Sequence, residues 1–97
     1  MYKLSNLAAD DFRQIDRYSR TRFGARQADS YVEEMAQCLR RLAALPLSGR
    51  EQNAIKTGLR RWDHQRHSIF YLIRDKDIFV LRILHQKRDI AQQFTAR

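Results

Sequence analysis

The chain has 97 residues, of which 43% are hydrophobic and 31% are charged. This composition excludes an extensively disordered chain and fits one compact domain over residues 1–97. The formal net charge is +8 and fifteen of the 19 basic residues are arginine, so we expect an acidic partner, either nucleic acid or an acidic protein segment. The alternative is that the charge serves solubility alone.

The opening residues have no feature of a secreted or membrane protein. The segment MYKLSNLAADDF lacks the apolar core of a signal peptide, and no apolar run approaches membrane-spanning length. The single cysteine, Cys38, excludes an internal disulfide and fits a reducing compartment. We therefore expect a cytoplasmic protein without a membrane partner.

The first half of the chain predicts two amphipathic helices. Ser5 is the expected N-cap of the first helix, Gly24 ends it, and Pro46 ends the second. Apolar residues recur at helical spacing in both: Ala8, Phe12, Ile15 and Tyr18, then Ala28, Tyr31, Val32, Met35, Cys38, Leu39, Leu42 and Leu45. Both apolar stripes must be buried, which predicts an antiparallel helical hairpin packed on a second layer of structure.

The second half of the chain predicts strands. Residues 46–58 carry the proline and two glycines and are predicted to form a mobile loop. After this loop the period of the hydrophobic pattern changes to two, in residues 59–63, 67–74 and 77–85, and the opening YKL is a further short candidate. The predicted fold is α+β, in the order β-α-α-β-β-β, with the helical hairpin packed on a small antiparallel sheet.

Alternation within the last two strands predicts two faces of the sheet. With a turn at residues 75–77, the helices are expected to cover Ile69, Tyr71, Ile73, Phe79, Leu81 and Ile83. The opposite face then carries Phe70, Leu72, Val80 and Leu84 around Arg82. An arginine among apolar residues on an uncovered face suggests a partner-binding surface. Alternatively, Arg82 extends over the C-terminal tail and pairs within the chain, with Asp89 or the C-terminus.

The sequence contains few features that would indicate an enzyme. It has no glycine-rich phosphate loop, no nucleophile elbow and no Cys/His spacing suited to zinc, and we predict no cofactor. Cys38 belongs to the stripe of the second helix, so a buried structural thiol is expected. Asp10, Asp11 and Asp16 lie near the start of the first helix, where acids favour the helix dipole without a catalytic role.

Three histidines are the remaining candidates for chemistry. His64 and His67 flank a predicted turn, so we expect solvated loop side chains. His85 ends the last strand near Lys87 and Arg88, where an imidazole can serve as general acid or base for an anionic substrate. A structural histidine at a strand end is the favoured interpretation.

Five segments in order resemble the ParE toxins, the gyrase-directed branch of the RelE/ParE family in type II toxin–antitoxin systems. They are YKLSNLAADDFRQIDRYSRTRFGARQADSY, LPLSGRE, KTGLRRW, HSIFYLI and VLRILHQKRD. The resemblance spans nearly the whole chain. It implies a two-helix hairpin against a small antiparallel sheet, in agreement with the periodicity.

The resemblance also separates two functions. RelE-type members are ribosome-dependent mRNA endonucleases, and they typically carry arginine where this chain has Ser68 and Gln86, with a late tyrosine that is missing after Tyr71. Together with the RILH segment and Asp89, this pattern is similar to the ParE branch, although Arg88 departs from it. The resemblance thus implies a non-enzymatic toxin that traps DNA gyrase on broken DNA; the alternative is a RelE-type endonuclease.

The resemblance implies two protein partners and no sequence-specific nucleic acid. One is DNA gyrase, and the other is a ParD-like antitoxin whose acidic and apolar segment wraps the toxin in a hetero-oligomer. The predicted antitoxin or target contacts are the outer helix grooves and a set of residues around Arg82. That set is Arg60, Trp62, Phe70, Arg82, Leu84, His85, Lys87 and Arg88.

Overall fold

The computed structural model describes residues 1–87 and 93–94. Its elements are β1 (Tyr2–Leu4), α1 (Asn6–Phe23), α2 (Ala25–Ala44), a 3-10 helix (Pro46–Ser48), β2 (Arg50–Glu51), β3 (Arg60–His64), β4 (His67–Arg74) and β5 (Asp77–His85). The strands form one sheet in the order β1-β5-β4-β3-β2. The α+β fold with a helical hairpin is therefore confirmed. Within the described residues, neither helix combines the length and apolar character needed to cross a membrane.

The sheet differs from the prediction at its two edges. β1 pairs with β5 in parallel, so the sheet is mixed and not purely antiparallel. Parallel pairing is possible because both helices and three strands separate β1 from β5, and no hairpin turn fixes their direction. At the other edge, the two-residue β2 lies inside the predicted loop and pairs with β3.

The ends of α1 follow the local signals. The Ser5 hydroxyl oxygen accepts a hydrogen bond from the Ala8 N–H at 2.9 Å, so Ser5 is the N-cap as predicted. The same hydroxyl donates to the Leu81 carbonyl at 2.7 Å, and the Ser5 N–H donates to the Val80 carbonyl at 2.9 Å. Gly24 ends the helix with φ of 93°, a conformation that favours glycine. Ser5 thus fixes the start of α1 against β5.

The main core lies between α2 and the sheet. Leu39 is fully buried and Leu42 is 2% exposed, as the helical stripe predicted. They belong to one cluster with buried residues of the last two strands: Ile69, Tyr71, Ile78, Val80 and Ile83. Cys38 is buried in the same cluster, and burial raises the pKa of its thiol. The predicted burial of Cys38 is confirmed.

A β-bulge in β5 changes the predicted faces. The turn between β4 and β5 contains two residues and not three, so Tyr71 pairs with Val80; beyond the bulge, Phe70 pairs with Arg82 and Leu81 is the extra residue. The predicted register is correct beyond the bulge, where Ile69 pairs with Ile83, and wrong between the bulge and the turn. The residues of that stretch that enter the helix-facing core are Ile78 and Val80, not Phe79 and Leu81.

The opposite face of the sheet is covered, contrary to expectation. Phe70 is fully buried and Leu84 is 2% exposed, and together with Leu59 they form a second apolar cluster. Ile55, Leu72, Leu81 and Phe94 pack against it. The rings of Phe70 and Phe94 lie 5.1 Å apart, edge to face. The loop before β3 and a residue near the C-terminus therefore provide the cover.

Tyr71 anchors the start of the predicted loop. Its hydroxyl donates to the Pro46 carbonyl at 2.7 Å and accepts from the Gly49 N–H at 2.9 Å. A Cβ at Gly49 would clash with the Tyr71 ring and hydroxyl, so this close approach requires glycine.

Leu42→Ala tests the core. Removing a fully packed side chain leaves a cavity, so the free energy of unfolding should fall by about 2–5 kcal/mol in urea denaturation. Leu47→Ala is the matched control, because Leu47 is 71% exposed and its loss should change stability by less than about 0.5 kcal/mol. Equal effects of the two substitutions would contradict the assignment of the core.

Candidate functional site

A buried ion pair joins α1 to the edge of β5. Asp11 Oδ2 accepts from Arg82 Nε at 2.8 Å, and Asp11 Oδ1 accepts from Arg82 Nη2 at 3.0 Å. The Ile83 N–H also donates to Asp11 Oδ2, at 3.0 Å. The two side chains are only 10% and 15% exposed. The hydrogen bonds to Asp11 raise the pKa of Arg82, and burial opposes that rise without cancelling it.

The ion pair depends on where β1 stops. β1 pairs with residues 78–80 of β5, and no other strand of the described residues lies beside the next part of that edge. Asp11 lies three residues after Ala8 and four before Ile15, on the helix face that packs on the core. Its carboxylate therefore meets the exposed edge of β5, where it satisfies a backbone N–H and neutralises Arg82.

This pairing corrects the expectation for Arg82. Its guanidinium is bound within the chain and is not left unpaired on an uncovered face. The alternative of an internal partner was correct, but the partner is Asp11; Asp89 lies outside the described residues. An acid inside an apolar helical stripe was the signal that could have identified Asp11, because a buried carboxylate needs a partner.

A second polar group lies at the ends of β3, β4 and β5. We call Tyr31, His64, His67 and His85 the histidine cluster. The Tyr31 hydroxyl is hydrogen-bonded to His67 Nδ1 at 2.7 Å. Ring centroids are 5.9 Å apart for Tyr31 and His64, and 5.5 Å apart for His67 and His85. His64 and His67 are thus half-buried and packed, not solvated loop side chains as expected.

Burial controls the protonation of this cluster. It lowers the pKa of His67 to about 4, and the neighbouring His85, His64 and Arg66 add to the effect. Burial also lowers the pKa of His64 and raises the pKa of Tyr31 to about 12. At neutral pH the His67 imidazole is therefore uncharged and the Tyr31 hydroxyl keeps its proton.

A cavity of about 920 Å³ opens between the helical hairpin and the ends of β4 and β5, and we call it the histidine cleft. Its lining includes aromatic, cationic and amide side chains: Tyr18, Phe23, Tyr31, His67, His85, Arg66, Lys87, Gln14, Gln27 and Gln65. The Gln86 N–H donates to the Arg66 carbonyl at 2.9 Å, and its side-chain Nε2 donates to the Gln65 carbonyl at 2.7 Å. Gln86 thereby holds the 65–66 turn beside Lys87.

The predicted contact residues do not form one surface. Arg60 donates to the Gly49 carbonyl and lies 3.6 Å from Glu51, and Trp62 packs against the main core. Phe70 and Leu84 are buried on the opposite face, where Ile55, Leu72, Leu81 and Phe94 pack against their cluster. His85 and Lys87 lie together in the histidine cleft. Arg88 lies outside the described residues. The binding roles of this set stay predictions.

The described residues offer no metal centre. Across residues 1–87 and 93–94, no three histidine, cysteine or acidic side chains are close enough to hold an ion.

Comparisons with known proteins identify the family. The family model for the ParE toxin of the type II toxin–antitoxin system parDE matches residues 2–90. The chain belongs to the ParE toxin family. It is 33% identical to Toxin ParE1 of Mycobacterium tuberculosis over 90 residues, 92% of each chain. It is 31% identical to Toxin ParE of Escherichia coli over 97 residues, which cover 99% of this chain and 94% of that one.

A solved structure has the same fold. The chain is similar to a chain of the chromosomal ParDE system from P. aeruginosa, with a TM-score of 0.74 and 23% identity over 87% of this chain and 92% of that one. The resemblance to ParE toxins that the sequence predicted is therefore confirmed, and so is the fold that it implied.

Arg82→Ala should destabilise the free toxin. It leaves the Asp11 carboxylate buried without its cation, so the free energy of unfolding should fall by about 3–5 kcal/mol. Arg82→Lys should restore only part of the loss, because an ammonium group cannot form both hydrogen bonds. A double-mutant cycle with Asp11→Ala, measured by urea denaturation, gives the coupling energy. Purely additive losses would show that the two side chains do not stabilise each other.

Acid should weaken the fold through His67. Its pKa is about 4 in the folded chain and 6.5 as a free side chain, so between these values the unfolded chain binds the proton and the folded chain does not. Stability should fall as the pH drops from 6.5 to 4, by about 1–2 kcal/mol after solvent screening is allowed for. His67→Gln should flatten this slope in pH-dependent melting.

Tyr31→Phe is the control for this experiment. It removes the hydrogen bond but keeps the buried imidazole, which is the main cause of the lowered pKa. The slope between pH 6.5 and 4 should therefore persist. If the slope survives His67→Gln unchanged, another group causes it.

Proposed function

We propose that this toxin inhibits DNA gyrase by binding it and trapping its cleavage complex on broken DNA. The observation that carries the proposal is the match of residues 2–90 to the ParE toxin family. The toxin acts as a protein-binding inhibitor and not as an enzyme. Because gyrase acts on chromosomal DNA in the bacterial cytoplasm, the toxin is proposed to act there.

The local chemistry at Ser68 and Gln86 supports this choice over RNA cleavage. Ser68 is fully buried and its hydroxyl donates to Asp63 Oδ1 at 2.7 Å. Gln86 uses its amide to hold the 65–66 turn. These are the positions at which RelE-type sequences carry arginine. Here both side chains stabilise the sheet and supply no positive charge for a phosphorane intermediate.

We further propose that a ParD-like antitoxin neutralises the toxin by forming a hetero-oligomer with it. A net charge of +8 attracts an acidic segment. The exposed apolar side chains of α1, Leu7 at 58%, Tyr18 at 58% and Phe23 at 45%, suit the apolar residues of such a segment. The similar P. aeruginosa chain comes from a chromosomal ParDE system, which agrees with this pairing.

The decisive experiment tests the purified toxin on two targets in parallel. In one assay, toxin is added to gyrase, and the relaxed and linearised DNA products are measured. In the other, toxin is added to programmed ribosomes carrying mRNA, and cleavage of the mRNA is measured. We expect loss of supercoiling and accumulation of double-strand breaks, and intact mRNA. Adding a ParD-like antitoxin should restore supercoiling.

Two results would change the assignment. Codon-specific mRNA cuts at substoichiometric toxin would replace it with RelE-type cleavage. Trapped breaks with topoisomerase IV but not with gyrase would keep the mechanism and change the target.

A further inference from the structure

We propose that the histidine cleft binds a nucleotide, either free or as one unit of a single-stranded nucleic acid. The phosphate contacts Arg66, Lys87 and His85. The base stacks on Tyr18 or Phe23. This binding is not sequence-specific, and it is a property of the toxin alone that does not depend on gyrase.

The size and lining of the cleft fit this ligand. A cavity of about 920 Å³ lies within the range of small-molecule sites, roughly 300–1,000 Å³. Nucleotide sites combine aromatic faces for the base, hydrogen-bonding side chains for its edges and cations for the phosphate. The cleft has all three: Tyr18, Phe23 and Tyr31; Gln14, Gln27, Ser19 and Ser30; Arg66 and Lys87.

The cationic end of the cleft is built by hydrogen bonds from Gln86 to backbone carbonyls. Gln86 binds the carbonyls of Gln65, Arg66 and His67, and so places Arg66 beside Lys87. Within residues 1–87 and 93–94, neither cation forms an ion pair. Arginine and lysine that lack a carboxylate partner are suited to a phosphate, which arginine can bind through two parallel hydrogen bonds.

His85 adds an N–H donor at the same end. Its Nδ1 accepts a hydrogen bond from the Lys87 N–H at 3.1 Å, which leaves Nε2 as the ring nitrogen that donates. An N–H donor beside two cations suits phosphate oxygens and excludes a cationic ligand.

Among the described residues, two carboxylates line the cleft, and only one of them is neutralised by a cation. Asp11 is neutralised by Arg82. Glu34 accepts a hydrogen bond from the Gln65 side chain at 2.8 Å. Because Glu34 has no cationic partner among the described residues, it repels a phosphate from the α2 side of the cleft. The phosphate is thereby directed to the end that carries Arg66 and Lys87.

The aromatic end explains two exposed side chains. Tyr18 is 58% exposed and Phe23 is 45% exposed, although both side chains are large and belong to α1 of the helical hairpin. Both line the cleft, where a stacked base would cover apolar ring surface. Of the two RelE-type positions, Ser68 alternates with His67 and belongs to the opposite face of β4, outside the cleft, whereas Gln86 holds the cationic end of the cleft.

Binding is tested by titrating the folded toxin with ATP and with a fluorescein-labelled ten-nucleotide oligo(dT). The imidazole NMR signals of His67 and His85 should shift on binding, and the pKa of His67 should rise from about 4 as the phosphate offsets the nearby positive charge. Arg66→Gln with Lys87→Gln should weaken binding by about tenfold or more, because two charge-assisted contacts are lost.

Arg74→Gln with Lys76→Gln is the matched control. It removes the same two charge types from the opposite end of the β4–β5 hairpin, so it lowers the net charge equally and leaves the cleft intact. Melting curves verify that both double variants are folded. Shifts with ATP support a free nucleotide as ligand, and shifts with oligo(dT) alone support a strand.

Three results would overturn the proposal. The first is an equal loss of affinity in both double variants, which would indicate general electrostatic attraction. The second is histidine signals that do not move with either ligand. The third is a shift of the histidine NMR signals when a glutamate-rich peptide is added, with no shift when either nucleotide ligand is added. That result would make the cleft a peptide site.

Discussion

The position of α1 depends on the carboxylate of Asp11. A buried carboxylate is costly unless every oxygen has a partner, and here Arg82 and the Ile83 N–H supply three hydrogen bonds. The same contacts satisfy the edge of β5 where β1 has ended, so α1 takes the place of a neighbouring strand. Ser5 fixes the preceding part of β5 in the same way. These contacts position the α1 wall of the histidine cleft.

The bulge at Leu81 makes the ion pair compatible with the core. Side chains alternate along a strand, so Val80 and Ile83 would point to opposite faces in a regular β5. One extra residue between them lets both enter the helix-facing cluster. Without the bulge, either the core would lose an aliphatic residue or Arg82 and the Ile83 N–H would be displaced from Asp11. The packing of the core and the hydrogen bonds at the edge of β5 therefore both require the bulge at Leu81.

Local signals predicted most of the fold, and long-range contacts explain what they missed. The helix ends were predictable, because Ser5, Gly24 and Pro46 each affect only the backbone within a few positions. The Asp11–Arg82 pair was not, because its two residues lie 71 positions apart, and the bulge was not, because it depends on how β5 pairs with β4. The site was predicted less well than the fold. Of the proposed contacts, His85 and Lys87 meet in one cleft, and their environment depends on Tyr31 from α2.

Part of the positive charge that has no acidic partner among the described residues lies at one end of the molecule. Within residues 1–87 and 93–94, seven arginines have an acid within 4.0 Å: Arg13, Arg20, Arg40, Arg50, Arg60, Arg61 and Arg82. Much of what remains lies near the tip of the helical hairpin, at Arg17, Arg22 and Arg26, and beside the histidine cleft, at Arg66 and Lys87. Charges of this kind accelerate association and set its salt dependence more than they set affinity. The acidic antitoxin segment and the phosphate-bearing ligand that we propose would therefore be attracted to the same end, and each is expected to oppose binding of the other.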